Sequence, residues 1–170
     1  MTLLSEYRRL RAAGELQPID VPVLIVGLNG SARSDAAEYR TSTRQGDLTL
    51  GPVVRALLDE DVTLAPLVKS DRNPYENFIF VGRASTCDVI LRDASVSKSH
   101  AVFERDARGG WCLRDNRSHN GTWVEGERLT GKARVTVPSG SAIVFGAYPA
   151  YLLMPDDLGR ILATMPDLHA

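Results

Sequence analysis

The chain has 170 residues, with 20 Lys and Arg balanced against 21 Asp and Glu. A length of this order fits one ordinary domain with extensions, and the 44% hydrophobic and 24% charged contents are those of a globular chain, not a disordered one. The formal net charge of −1 argues against a nucleic-acid-binding protein, because such a protein normally carries a basic excess.

The number of cysteines and the length of the apolar segments indicate the cellular compartment of the protein. Cys87 and Cys112 are too few for a disulfide framework and lack the spacing of a zinc site. The N-terminal stretch MTLLSEYRRLRAAG lacks the apolar core of a signal peptide. The longest apolar runs are far shorter than a membrane span. The sequence therefore predicts a cytoplasmic protein with reduced thiols, without a metal or other cofactor and without a membrane partner.

The N-terminal part mixes helical and strand signals. LLSEYRRLRAAG carries apolar residues at helical spacing and ends on Gly14, which predicts a helix. Residues 21–27, VPVLIVG, form a continuous β-branched run that predicts a buried strand. Residues 51–61 predict a short helix with Pro52 in its first turn. We expect residues 1–60 to be an extension that contains helix and strand.

From residue 62 onward, short β-rich runs follow one another, separated by turn-forming pairs such as Asn73-Pro74 and Ser139-Gly140. Many short strands at close spacing predict an antiparallel β-sandwich, here over residues 61–154. Alternation along the strands predicts the side chains that face the core. These are Val89, Leu91, Trp111, Leu113, Val135, Val137, Ile143 and Phe145.

The C-terminal part, residues 155–170, is expected to be a short helix and a tail. PDDLGRILATM places apolar residues at helical spacing, and Asp156 and Asp157 suit the positive end of a helix dipole. The predicted fold class is therefore all-β, with an α/β extension before the sandwich and a helix after it.

Three motifs occur in order within the predicted sandwich. They are Gly82-Arg83, then Ser97-x-x-His100, then DNRSHNGT, which contains Asp115, Ser118, Asn120, Gly121 and Thr122. Together, and at this spacing, the motifs resemble the forkhead-associated (FHA) domain family over roughly residues 62–154. The resemblance implies a β-sandwich whose loops at one end bind phosphothreonine peptides.

The chemistry of the ligand fits these residue types. A phosphothreonine carries close to two negative charges and three acceptor oxygens, so its reader needs a cation and neutral donors. The resemblance implies that Arg83 and Ser97 contact the phosphate and that Lys98 adds a point charge. It also implies that Asn120 pairs with the peptide main chain, and we place Ser118 in the same binding set.

His100, Gly82 and Gly121 are expected to support the site. In the family, the histidine of the second motif braces the loop that carries the serine. One departure is His119, where the family commonly has threonine. Its side chain could donate to the phosphate. Alternatively, it could point to solvent while its backbone N–H makes the contact.

Two enzymatic interpretations are weaker. Ser97 beside His100 could suggest a hydrolase, but no orienting acid, oxyanion hole or Gly-x-Ser-x-Gly elbow accompanies them. Residues 126–133, GERLTGKA, nearly spell a phosphate-binding P-loop. Ala133 replaces the required Ser or Thr, and a strand-like run follows where the motif needs a helix, so we expect a hairpin.

A third alternative concerns residues 21–34. VPVLIVGLNGSARS resembles the first phosphate loop of flavodoxin-like NADPH-dependent flavin reductases, and such loops hold phosphate with backbone N–H groups. That fold requires several further strand–helix units, and none follows residue 60. The expected role of this segment is a buried strand that packs against the sandwich.

The sequence thus predicts a non-catalytic adaptor in Ser/Thr kinase signalling. Its partner would be a phosphothreonine-containing protein, such as a kinase or a kinase substrate. The alternative is a structural or assembly protein that uses the same sandwich for phosphate-independent contacts. Thr41 and Thr43 lie beside arginines, and the resemblance suggests a switch in which a phosphorylated threonine of this segment occupies the chain's own pocket.

Overall fold

The computed structural model describes residues 1–15, 17–27, 51–58 and 62–164. These residues contain twelve strands and three helices. The helices are α1 (Leu4–Ala12), α2 (Gly51–Leu57) and α3 (Pro155–Thr164). The strands are β1 (Thr2–Leu3), β2 (Val23–Val26), β3 (Thr63–Pro66), β4 (Phe78–Gly82), β5 (Val89–Ile90), β6 (Ala101–Arg105), β7 (Trp111–Asp115), β8 (Thr122–Val124), β9 (Glu127–Arg128), β10 (Val135–Thr136), β11 (Ala142–Phe145) and β12 (Tyr148–Leu153).

The strands form two sheets. One has seven strands in the order β1-β3-β2-β12-β11-β8-β9, and the other has five in the order β10-β7-β6-β4-β5. Neighbouring strands run antiparallel except β4 and β5, which are parallel. The predicted FHA-like β-sandwich with a short C-terminal helix is confirmed.

The main core lies between the two sheets. Of the residues that alternation predicted to face inward, seven are buried there, and Val135 packs against them while partly buried. Phe103 and Leu113 sit opposite each other on paired strands and are fully buried. The period of two along each strand was therefore sufficient to identify the inner face.

A second core lies on the outer face of the seven-stranded sheet, where all three helices pack. Strand β2 shows how one sheet serves both cores. Its residues alternate, so Leu24 and Val26 enter the main core while Val23 and Ile25 face the helices. This two-sided burial explains why the run is continuously apolar. The helices contribute Leu4, Tyr7, Val53, Ala56, Leu57, Leu158 and Ile161 to the second core.

The predicted strand of the N-terminal extension is part of the sandwich sheet. Strand β2 hydrogen-bonds to β3 on one side and to β12 on the other, antiparallel to both. A flavodoxin-like phosphate loop would follow a strand of a parallel sheet, so this pairing contradicts that alternative. The division of the chain at residues 60 and 154 stays a prediction. Thr41 and Thr43 lie outside the described residues.

Two further features follow from the element bounds. After Lys132 the chain enters β10, not a helix, as expected of a hairpin and not of a P-loop. Among the residues that the structure describes, no helix has the length and apolarity needed to cross a membrane.

Candidate functional site

Four loops meet at one end of the sandwich. Strands β4 and β5 both end there because they run parallel, and β6 begins there because it is antiparallel to β4. The loops are residues 83–88, 91–100, 116–121 and 146–147, which follow β4, β5, β7 and β11. All of the residues predicted for the site lie in the first three loops or at the end of β4. We call residues 93–99 the serine loop and residues 116–121 the asparagine loop.

Arg83 is anchored to the serine loop. Its backbone N–H donates to the carbonyl oxygen of Ser97 at 2.9 Å, and its side-chain Nε–H donates to the carbonyl oxygen of Val96 at 3.1 Å. The side chain is exposed. Because a guanidinium carries five N–H donors, the bond to Val96 leaves four that can bind an anion.

Gly82 lets the end of β4 approach the same loop. A β-carbon added to Gly82 would lie 2.4 Å from the carbonyl oxygen of Lys98 and 3.0 Å from Sγ of Cys87. The same carbonyl accepts hydrogen bonds from the Ala84 N–H at 3.0 Å and from the buried Cys87 thiol at 3.1 Å. The close packing fits the supporting role expected of Gly82 and leaves the Lys98 side chain exposed.

His100 joins the serine loop to the asparagine loop. It is fully buried, and its Nδ1 accepts the Ser97 N–H at 2.9 Å. The ring proton therefore lies on Nε2, which donates to the carbonyl oxygen of Gly121 at 2.9 Å. Burial lowers the pKa of His100, which keeps the ring neutral. With both nitrogens engaged, His100 holds two loops together and is not placed to act as a base.

Asp115 closes the asparagine loop. It accepts hydrogen bonds from the Ser118 N–H at 2.9 Å, the Ser118 hydroxyl at 2.5 Å and the Thr122 hydroxyl at 2.7 Å. Burial alone would raise the pKa of Asp115, but these hydrogen bonds outweigh it and hold the pKa below its usual value. The sequence motif contained Asp115 but suggested no role for it, although the Asp-x-x-Ser spacing is typical of side chains that cap turns.

Ser118, which the sequence analysis placed in the binding set, makes hydrogen bonds within its own loop. Its hydroxyl donates to Asp115 and accepts the Gly121 N–H at 2.9 Å. The single hydroxyl hydrogen is thus already committed inside the loop. This arrangement favours a bracing role for Ser118 over a direct contact with a ligand.

The hydroxyl of Ser97 is oriented by His119. The backbone N–H of His119 donates to Oγ of Ser97 at 2.9 Å. Since the hydroxyl accepts this bond, it keeps its own hydrogen to donate. The His119 N–H is thus engaged with Ser97, and the alternative in which it contacts phosphate directly stays a prediction. The His119 side chain is exposed.

Asn120 is held by a residue that the sequence analysis did not single out. Its Nδ2 donates to the carbonyl oxygen of Ser95 at 2.8 Å, and the side chain is exposed. Ser95 is in turn fixed by Asp93, which accepts its N–H at 2.8 Å and its hydroxyl at 2.6 Å. The Ala147 N–H donates to the Ser95 hydroxyl at 3.0 Å. The Asp-x-Ser spacing at residues 93–95 was the available signal for this turn.

The exposed charges of these loops are mainly positive. Arg83, Lys98 and Arg117 are exposed, whereas the carboxylates of Asp93 and Asp115 accept hydrogen bonds within their own loops. An anionic ligand would meet cations and neutral donors at this surface. In the part of the chain that the structure describes, no group of three or more His, Cys, Asp or Glu side chains is placed to hold a metal ion.

Comparison with known proteins gives relatives for this region. Residues 79–146 match the family model of the FHA domain. The chain is 30% identical over 78 residues to the E3 ubiquitin-protein ligase rnf8-B of Xenopus laevis, covering 41% of this chain and 15% of the ligase. It is 31% identical over 88 residues to the protein phosphatase 1 regulatory inhibitor subunit PPP1R8 homolog of Arabidopsis thaliana, covering 52% of this chain and 24% of that protein.

Among solved structures, the chain is similar to EmbR of Mycobacterium tuberculosis, in a complex with a low-affinity phosphopeptide. The identity is 27%, the TM-score is 0.46, and the match covers 55% of this chain and 22% of that one. This chain therefore spans only a quarter or less of the length of these relatives. Motif order and sandwich topology agree with the match of residues 79–146 to the FHA domain model.

Proposed function

We propose that the chain is a phosphothreonine-peptide-binding adaptor module, without catalytic activity, that acts in Ser/Thr kinase signalling. The proposal rests on one short segment, residues 95–97. This segment contains Ser97, and both Arg83 and Asn120 hydrogen-bond to its carbonyl oxygens. Arg83 bonds to the carbonyls of Val96 and Ser97, and Asn120 bonds to the carbonyl of Ser95. The guanidinium of Arg83, the hydroxyl of Ser97 and the amide of Asn120 are thus held close to the same segment.

Each group has a distinct task in this proposal. Arg83 and Lys98 neutralise the phosphate dianion, and the Ser97 hydroxyl donates to one of its oxygens. Asn120, whose bond to Ser95 uses only one N–H, pairs with the peptide main chain through its remaining donor and acceptor. The His119 side chain is a further donor at the rim. Ser118, His100, Gly82 and Gly121 hold the loops in place.

The energetics require contacts beyond the phosphate. Two or three charge-assisted hydrogen bonds at ~1.5–3 kcal/mol each supply only part of the ~8 kcal/mol of a micromolar complex. The residues that flank the phosphothreonine must contribute the remainder. The partner is therefore a phosphothreonine-containing protein with a preferred local sequence, such as a kinase or a kinase substrate.

The test is a titration of phosphothreonine peptides against the wild type, Arg83→Ala and the matched control Arg108→Ala, followed by fluorescence anisotropy. Arg108 is exposed on the turn between β6 and β7, at the opposite end of β7 from the site. We expect Arg83→Ala to weaken binding by about tenfold or more, which corresponds to about 1.4 kcal/mol, and Arg108→Ala to have no effect. Phosphatase treatment of the peptides should abolish binding.

A second candidate function is phosphate-independent assembly through the sandwich. It is favoured by an exposed aromatic group beside the five-stranded sheet. Tyr75 is 57% exposed, and its ring centroid lies 6.4 Å from that of Phe78 and 5.7 Å from that of Phe80. Exposed aromatic groups are typical of protein contacts. Binding that survives phosphatase treatment, is equal for wild type and Arg83→Ala, and is lost in Tyr75→Ser would favour this candidate.

A further inference from the structure

Arg128 has a fixed position at the surface. It lies in β9, directly across from Trp123 of β8, and its side chain is exposed. The guanidinium carbon lies 5.3 Å from the centroid of the Trp123 ring. A guanidinium over an indole face is held by cation–π attraction and stacking. The orientation of Arg128 is therefore restricted before any ligand arrives.

The guanidinium of Arg128 adjoins the candidate binding site. A β-carbon added to Gly121 would lie 2.7 Å from Nε and 3.0 Å from Nη2 of Arg128. Arg128 thus occupies the space that a side chain at position 121 would fill. Gly121 follows Asn120, which we propose as the residue that grips the peptide main chain. A peptide held by Asn120 would pass close to this guanidinium.

The charge of Arg128 is available to a ligand. Among the described residues, Arg114 and Arg134 pair with Glu104, and Arg160 pairs with Asp157. None of these ion pairs involves Arg128. A cation that is held in place beside a binding site, and is not paired within that part of the chain, attracts an anionic group of the ligand.

We propose that Arg128 is a specificity-determining residue that pairs with an acidic side chain of the bound peptide. The acidic residue flanks the phosphothreonine on the side of the peptide that Asn120 contacts. The inference rests on the proposed function and deepens it. It assigns the ligand class as a phosphothreonine peptide with a nearby Asp or Glu.

In the experiment, each position that flanks the phosphothreonine of one peptide is substituted in turn by Asp, or by Asn as the neutral control. Affinities are measured for the wild type, Arg128→Gln and Arg108→Gln, which makes the same charge change far from the site. Exposed ion pairs contribute about 0.2–1 kcal/mol, so we expect the wild type to prefer Asp at one position by about 1.4- to fivefold. Arg128→Gln should lose that preference, Arg108→Gln should keep it, and added salt should reduce it.

A charge swap keeps the test decisive if Arg128→Gln folds poorly. Arg128→Glu should prefer Lys over Asp at the same position, whereas Arg128→Lys should retain part of the wild-type preference. An Asp preference that is equal in wild type, Arg128→Gln and Arg108→Gln would overturn the inference while leaving Arg83-dependent binding intact. Loss of phosphate dependence in all variants would instead overturn the proposed function.

Discussion

The loops of the candidate site and the turn between β6 and β7 are held in different ways. At the end away from the site, the turn between β6 and β7 is closed by its own residues, since Asp106 accepts the N–H groups of Arg108 and Gly110 at 2.8 Å each. At the site end, the bonds join loops that are distant in sequence. His100 reaches Gly121 over 21 residues, Asn120 reaches Ser95 over 25, and Ala147 reaches Ser95 over 52.

The difference shows how an exposed site can be rigid. Loops at a sandwich end are ordinarily mobile and variable. Here buried or half-buried polar groups fix them to one another, so the exposed side chains start from defined positions. A site whose groups are already ordered loses less conformational entropy when a ligand binds. The turn between β6 and β7 contributes no such links between loops.

The largest expected effect is at His100. His100→Ala would create a cavity and leave the Ser97 N–H and the buried Gly121 carbonyl without their partner. We expect the free energy of unfolding to fall by about 3–5 kcal/mol. Urea denaturation measures it. Asp106→Ala, the matched change in the self-contained turn, should cost about 1 kcal/mol. Equal losses in the two variants would contradict the contrast between the site loops and the turn between β6 and β7.

Two glycines, Gly146 in a site loop and Gly109 in the turn between β6 and β7, allow a second comparison of the two regions. Gly146 and Gly109 have positive φ values of 67° and 81°. A β-carbon on Gly146 would lie 2.4 Å from the carbonyl oxygen of Ser95, whereas one on Gly109 would meet nothing within 4 Å. Both alanine variants incur about 1–2 kcal/mol of backbone strain, and Gly146→Ala adds a clash, for a total of about 3 kcal/mol. Thermal denaturation that ranks Gly109→Ala as the more destabilised would count against the tight docking of the site loops.

The smallest effect concerns pH. The pKa of His100 is lowered by burial, so protons bind the unfolded chain first and stability falls as the pH drops below about 6.5. The pKa of Asp115 is also lowered, because its hydrogen bonds outweigh burial. Its contribution is present above about pH 4 and is lost as the pH falls further.

Urea denaturation between pH 3 and 8 should therefore show two successive losses of stability on acidification. Asp115→Asn should lower the free energy of unfolding by about 1–3 kcal/mol near pH 7 and flatten the loss below about pH 4. An acid limb that is as steep in Asp115→Asn as in the wild type would mean that this carboxylate does not hold the asparagine loop.

Much of the fold was predictable from the sequence because its signals are local. Alternation identified the inward faces of the strands, helical spacing identified α1 and α3, and Pro52 in a first turn identified α2. The three motifs located the loops that meet at one end. Period and turn chemistry act between residues close in the chain, and the printed sequence displays them directly.

Only the tertiary structure decided which strands pair and which hydrogen-bonding groups of the site are already engaged within the protein. It placed β2 between β3 and β12, committed the Ser118 hydroxyl to Asp115, engaged the His119 N–H with Ser97, and set Arg128 against Gly121. A hydroxyl or N–H has the same sequence signature whether it faces a ligand or a neighbouring loop. Its role depends on which distant segment the folded chain brings within about 3 Å, and no local pattern carries that distance.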